Sequence, residues 1–137
     1  MNEQTPLPER LPEAVSHLVR AVDPVVIYLF GSAAANRLRQ DSDVDIAFLP
    51  ETPVLRTTSF WIAQEMADIL QRDVDLVNLQ DATTVMQAEV VAKGIRLYER
   101  DPNLRAAFEM RALKAYALLN EERQCILEAI RKRGSVF

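Results

Sequence analysis

Residues Val25 to Phe30 form an unbroken apolar run, VVIYLF, and no other segment restricts the fold as severely. Six apolar residues in a row present no polar face, so a strand made of them needs cover on both sides. Asp23-Pro24 breaks the chain before the run and Gly31 ends it. Elements alternate around it. A helix is expected over about Pro12–Ala21, with Leu11, Val15, Leu18 and Val19 on one face. A short helix follows over Ala33–Arg39, by propensity. Asp43–Leu49 alternates as a strand, with Asp43, Asp45, Ala47 and Leu49 on one face and Val44, Ile46 and Phe48 on the other. A helix is expected over Thr58–Arg72, with Trp61, Ile62, Met66, Ile69 and Leu70 inward. A strand covers Asp73–Leu79. Asp81 is read as the cap of a helix over Ala82–Lys93, stopped by Gly94. Ile95–Tyr98 is a fourth strand, and Asp101-Pro102 opens a last helix reaching about Arg133. The alternation defines an α/β fold.

The length of 137 residues fits one domain, and with 49% apolar residues it can build a core. A formal net charge of −4 argues against stable coating of nucleic acid. Cys125 is the single cysteine, so no internal disulfide forms, and His17 is the single histidine, so no zinc site of His and Cys forms within one chain. No apolar run approaches the roughly 20 residues that span a bilayer. Met1–Pro12 is polar and proline-rich, without the apolar core of a signal peptide, and a cytoplasmic protein is the expectation.

The candidate chemistry starts with Asp43 and Asp45. Two residues apart on a strand, their side chains share one face about 6–7 Å apart. Carboxylates held that close repel, and a divalent cation relieves the repulsion. The opposite face of this strand is apolar, so it reads as a central strand, where an acidic face needs a reason. Asp75 on the following strand can supply a third ligand, and three carboxylates on neighbouring strands suit a two-metal site for phosphoryl chemistry. Gly31-Ser32 sits between a buried strand and a helix. Glycine lets a ligand approach the backbone, and the serine hydroxyl with the first free N–H groups of the helix can hold an anion.

Gly-Ser, ten residues, then Asp-x-Asp, and a later aspartate on another strand, make one combination: GSAAANRLRQDSDVDIAFLP over Gly31–Pro50 and DVDLVNL over Asp73–Leu79. With AEVVAKGIRLYER over Ala88–Arg100, the chain resembles the minimal nucleotidyltransferases (MNT) of the DNA polymerase β-like superfamily across residues 10–100. The resemblance implies a mixed sheet of about four strands flanked by helices, with a long C-terminal helix. It implies Mg2+, as two ions, on Asp43, Asp45 and Asp75, with Asp75 also helping to activate the attacking hydroxyl. It places the β- and γ-phosphates of ATP on Gly31 and Ser32. Many members carry arginine and glycine just after Gly-Ser, where this chain has Ala33, Ala34, Ala35 and Asn36; Arg37 and Arg39 are the candidates to reach the phosphates instead.

Such proteins pair with HEPN-domain ribonuclease toxins, so the resemblance implies an antitoxin that moves AMP from ATP to a tyrosine of the toxin. A nucleotidyltransferase for a small molecule such as an aminoglycoside, and an antitoxin that acts by binding alone, are the alternatives. Arg10 and His17 match the spacing of the HEPN ribonuclease motif; they lie on the helix of a different fold and are read as coincidence. The domain reading is a flexible 1–9, a core over 10–100 and a C-terminal helix over 101–137. That helix would span roughly 45 Å. Its stripe of Leu104, Phe108, Ala112, Ala115, Leu119, Ile126 and Ile130 exceeds what the core needs, and the remainder is expected to meet a partner protein or a second copy.

Overall fold

The computed structural model describes residues 8–35 and 43–133. Within them the order is α1 (Leu11–Val22), β1 (Val26–Phe30), α2 (Gly31–Ala34), β2 (Val44–Leu49), α3 (Arg56–Leu70), β3 (Val74–Asn78), α4 (Thr84–Lys93), β4 (Ile95–Glu99) and α5 (Pro102–Lys132). The four strands form one mixed sheet in the order β3-β2-β1-β4. β1 runs antiparallel to β2 and β4, while β2 and β3 are parallel. The parallel pair requires a crossover, and α3 supplies it.

The VVIYLF run lies where its composition demands. Val26 to Leu29 are buried, and their alternation feeds two cores. Ile27 and Leu29, with Val44, Ile46 and Phe48, pack against α1 and α3 through Leu18, Ile62, Met66 and Leu70. Val26 and Tyr28, with Ala47, Leu49 and Leu79, pack against α4 and α5 through Val90, Phe108 and Ala112. The sheet is thus sandwiched between two helical layers.

Local signals account for the helix ends. Asp101 caps α5 by accepting hydrogen bonds from the N–H groups of Asn103 and Leu104, both 3.0 Å. Gly94 ends α4 beside β1; a Cβ there would stand 2.4 Å from the Val90 carbonyl oxygen. Tyr28, buried in the sheet, donates its hydroxyl proton to Glu109 at 2.5 Å, and Arg105 bridges Glu109 and Glu99. Burial and the Glu109 carboxylate push the Tyr28 hydroxyl's pKa well above its ordinary value. This contact ties the first half of α5 to the sheet.

Several expectations change. Trp61 does not face the core but is 64% exposed, edge-on to Phe60. The buried line of α3 is Ile62, Met66 and Leu70, and Trp61 lies one residue, about 100°, off it. α4 is capped by Thr83, whose hydroxyl accepts from the Met86 N–H, rather than by Asp81. Of the α5 stripe only Phe108 and Ala112 are buried; Leu104, Ile126 and Ile130 are exposed, as are Leu118 and Leu127. His17 pairs with Glu65 at 3.0 Å across α1 and α3, a structural contact. Cys125 is exposed on α5. Among the described residues no helix is long and apolar enough to cross a membrane.

Candidate active site

The C-terminal end of β1 and the N-terminal ends of β2 and β3 lie side by side. β2 is the middle of the three, so position 45 has a register partner on each side: Phe30 on β1 and Asp75 on β3. Strands stand about 4.8 Å apart. Asp45 and Asp75 are therefore neighbours on one sheet face, that of Ala47 and Leu49. Asp43 immediately precedes β2 and is exposed.

The chain turns at Gly31 with a φ of +72°, a backbone conformation that costs side-chain-bearing residues energy. The nearest atom to the missing side chain is an oxygen of Asp45: a Cβ on Gly31 would lie 2.1 Å from Asp45 Oδ2. Glycine is required here twice over, by conformation and by the carboxylate in its lap. Gly31 and Asp45 are brought into contact across 14 residues of chain, and the Gly-Ser and Asp-x-Asp motifs become one site.

Ser32 is placed differently from the sequence reading. α2 begins at Gly31, its N-cap is Phe30 with no side-chain cap, and Ser32 lies inside the first turn, half-buried. Of the expected Ala33–Arg39 helix, Ala33 and Ala34 are helical, within α2, and Ala35 is its C-cap. Arg37 and Arg39 lie outside the described residues, as does Asn36.

Electrostatics singles out Asp45. Its carboxyl is pushed up from 3.8 to about 6, first by partial burial and then by the charges of Asp75 and Asp43. The donor set is carboxylate oxygen alone, the kind a hard divalent cation takes. As the side chains stand, no three acidic, histidine or cysteine groups among the described residues close around one point. The acidic set fits a cation through its three carboxylates at the adjoining ends of β2 and β3, where the charges of Asp75 and Asp43 already raise the cost of ionising Asp45.

A groove of about 480 Å3 opens beside Asp75, between β3 and α3, with Arg56, Phe60, Gln64, Asn78 and Asp81 in its wall. Sequence reasoning missed it. Its existence depends on β3 being the sheet edge and on Phe60 facing outward, and neither follows from spacing along the chain.

The raised carboxyl of Asp45 has a sign for stability. Its pKa is higher folded than unfolded, so its contribution is fully present below the unfolded value and is lost as pH rises through about 6. The metal-free protein is expected to lose thermal stability between about pH 4 and about pH 7 through this group. Asp45→Asn should flatten that part of the profile, and Mg2+ should restore stability to the wild type at neutral pH only. Thermal unfolding against pH checks this; an unchanged slope in Asp45→Asn contradicts it.

The chain is similar to known proteins over most of its length. The family described as "Polymerase beta, Nucleotidyltransferase" matches residues 13–103. The chain is 36% identical over 107 residues to the protein adenylyltransferase MntA of Shewanella oneidensis, covering 77% of this chain and 75% of that protein. A crystal structure of a toxin–antitoxin with AMP-PNP superimposes with a TM-score of 0.76 at 32% identity, over 88% of this chain and 98% of the other. A tri-AMPylated Shewanella oneidensis HEPN toxin in complex with MNT antitoxin gives 0.72 at 30% identity, over 88% and 94%.

Proposed function

Because this chain belongs to the polymerase beta nucleotidyltransferase family, we propose that it is an antitoxin that transfers AMP from ATP to a tyrosine hydroxyl of a HEPN-domain toxin. The observation that carries the proposal is the Asp45 carboxylate, seated against Gly31 on one side and in register with Asp75 on the other. The similarity to MntA of Shewanella oneidensis and to an MNT antitoxin bound to its AMPylated HEPN toxin supports the choice of acceptor. The protein works in the cytoplasm, on ATP.

Gly31 leaves room for the β- and γ-phosphates beside the Asp45 carboxylate, and the Ser32 hydroxyl is a donor to them. Asp43 and Asp45 would hold Mg2+, with Asp75 completing the set. Two such ions would neutralise the triphosphate and stabilise the attacking and leaving oxygens. The acceptor oxygen forms its bond to the α-phosphorus as the bond from that phosphorus to the bridging oxygen breaks, and pyrophosphate leaves. Asp75, exposed beside the groove, takes up the phenolic proton. Arg37 and Arg39 belong to the stretch that follows Gly31-Ser32 and are assigned to the phosphates.

The toxin is held by the second half of α5. Ile126 is 60% and Leu127 54% exposed, and Leu118 and Ile130 add to a face for which the protein's own core has no use. Deleting residues 118–137 should leave the core folded and abolish association with the toxin, measured by light scattering. An intact complex would contradict this assignment.

Mass spectrometry of the co-expressed toxin tests the activity. Wild-type protein should add AMP to a toxin tyrosine, and Asp43→Ala with Asp45→Ala should abolish the addition while leaving a folded chain. An unmodified toxin with the wild type, in ATP and Mg2+, would refute the proposal. Full neutralisation by the double variant would assign the antitoxin effect to binding alone.

A further inference from the structure

The two edges of the sheet are built differently. The β4 edge carries a register irregularity opposite Ile27 and Tyr28, and its charged Arg96 and Glu99 are ion-paired at 2.9 Å, with Arg105 on Glu99 at 2.6 Å. Bulges and charges of this kind keep an edge from pairing with other chains. The β3 edge, VDLVN, has no bulge, proline or lysine.

The pairing of β3 shows which main-chain groups it leaves over. The Asp73 carbonyl accepts from the Val44 N–H, and the Leu79 N–H donates to the Phe48 carbonyl. In a parallel ladder this phase commits the odd-numbered residues, 73 to 79, to β2. Val74, Leu76 and Asn78 then direct their N–H and C=O groups outward. The Asn78 carbonyl is taken by the Asp81 N–H at 3.1 Å; among the described residues no segment pairs with the others. The groove against α3 runs along this edge and reaches Asp75. A strand edge that is unpaired among the described residues, carries no charge but the site's own Asp75 and borders a groove is a template for an added strand.

Direction matters as well. Gly31 is on the β1 side of Asp45 and Asp75 on the β3 side. If the leaving pyrophosphate lies over Gly31, an in-line displacement brings the nucleophile from the opposite side, across β3.

We propose that the β3 edge and its groove receive the acceptor protein as an extended segment, paired main chain to main chain with Val74, Leu76 and Asn78, which carries the tyrosine hydroxyl to Asp75. This rests on the reading of the chain as a protein adenylyltransferase. Strand pairing supplies register for the acceptor without demanding a particular sequence, and Phe60, 56% exposed on the groove wall, offers an apolar face to a side chain of the segment. The sheet edge thereby serves as an acceptor-binding surface.

The test uses the full chain with its HEPN toxin. Ala63→Arg obstructs the groove and Phe60→Asp replaces its apolar wall with a charge, both without touching the aspartates of the site or Gly31. Each should raise the KM for the toxin by about 10-fold or more, while the affinity for a non-hydrolysable ATP analogue with Mg2+ stays within about 2-fold of wild type. A second measurement needs no variant: hydrogen exchange at the Val74, Leu76 and Asn78 amides should slow by about 10-fold or more when the toxin binds the wild-type protein in the presence of that analogue. Unaltered transfer by both folded variants, or unprotected edge amides in a complex that transfers AMP, overturns the proposal. A parallel loss of nucleotide affinity overturns it too, since the groove would then hold the base. Failure of the wild type to modify the toxin at all removes the parent reading and this one with it, and is distinguished by the mass of the toxin before any variant is made.

Discussion

A carboxylate oxygen of Asp45 occupies the space in which any side chain at position 31 would stand. The remaining geometry of the site depends on that contact. It fixes the end of β1 against the start of β2. The turn out of β1 passes through that same residue at a φ of +72°, which side-chain-bearing residues rarely adopt. It also leaves bare backbone next to an acidic group, where a ligand with phosphate and metal can come close. An ordinary strand-to-helix turn needs none of this. The site is therefore paid for in local conformation, and the two buried layers on either side of β1 and β2 supply the rigidity that holds it.

The sheet divides structural from chemical work along its strands. At one end and through the middle, Ile27, Leu29, Ile46 and Phe48 face one core and Val26, Tyr28, Ala47 and Leu49 the other. At the opposite end the second face changes character within one strand, from Leu49 and Ala47 to Asp45. Asp75 follows the same line on β3, with Val77 and Leu79 behind it. Partial burial and two neighbouring charges make Asp45 costly to ionise, the condition that binding a divalent cation relieves. The set is destabilising as a fold element and useful as a ligand set, a combination found where a protein trades stability for function.

Much of this was legible in the sequence because it rests on short-range rules. The VVIYLF run announced a strand buried on both faces, and Asp101-Pro102 and Gly94 marked helix ends. The alternation through Asp43–Leu49 placed Asp45 on the Leu49 face. Long-range placement was not legible. Nothing in the spacing says that β3 rather than β4 borders β2, so the edge groove beside Asp75 could not be foreseen. Trp61 was expected inward with Ile62, Met66, Ile69 and Leu70, but a helix over a sheet has a narrow buried line and Ile62, Met66 and Leu70 fill it. The short helix was expected from Ala33, after Ser32, yet it begins two residues earlier, at Gly31, and takes Ser32 into its first turn.

The most direct measurement of the central claim is the affinity of Gly31→Ala for Mg2+ and a non-hydrolysable ATP analogue, by isothermal titration calorimetry, with circular dichroism as the check on folding. If the Asp45 carboxylate and the bare backbone at Gly31 together form the nucleotide site, the added methyl group displaces one and covers the other, and affinity should fall by about 10-fold or more in a folded chain. Wild-type affinity in folded Gly31→Ala would contradict the account.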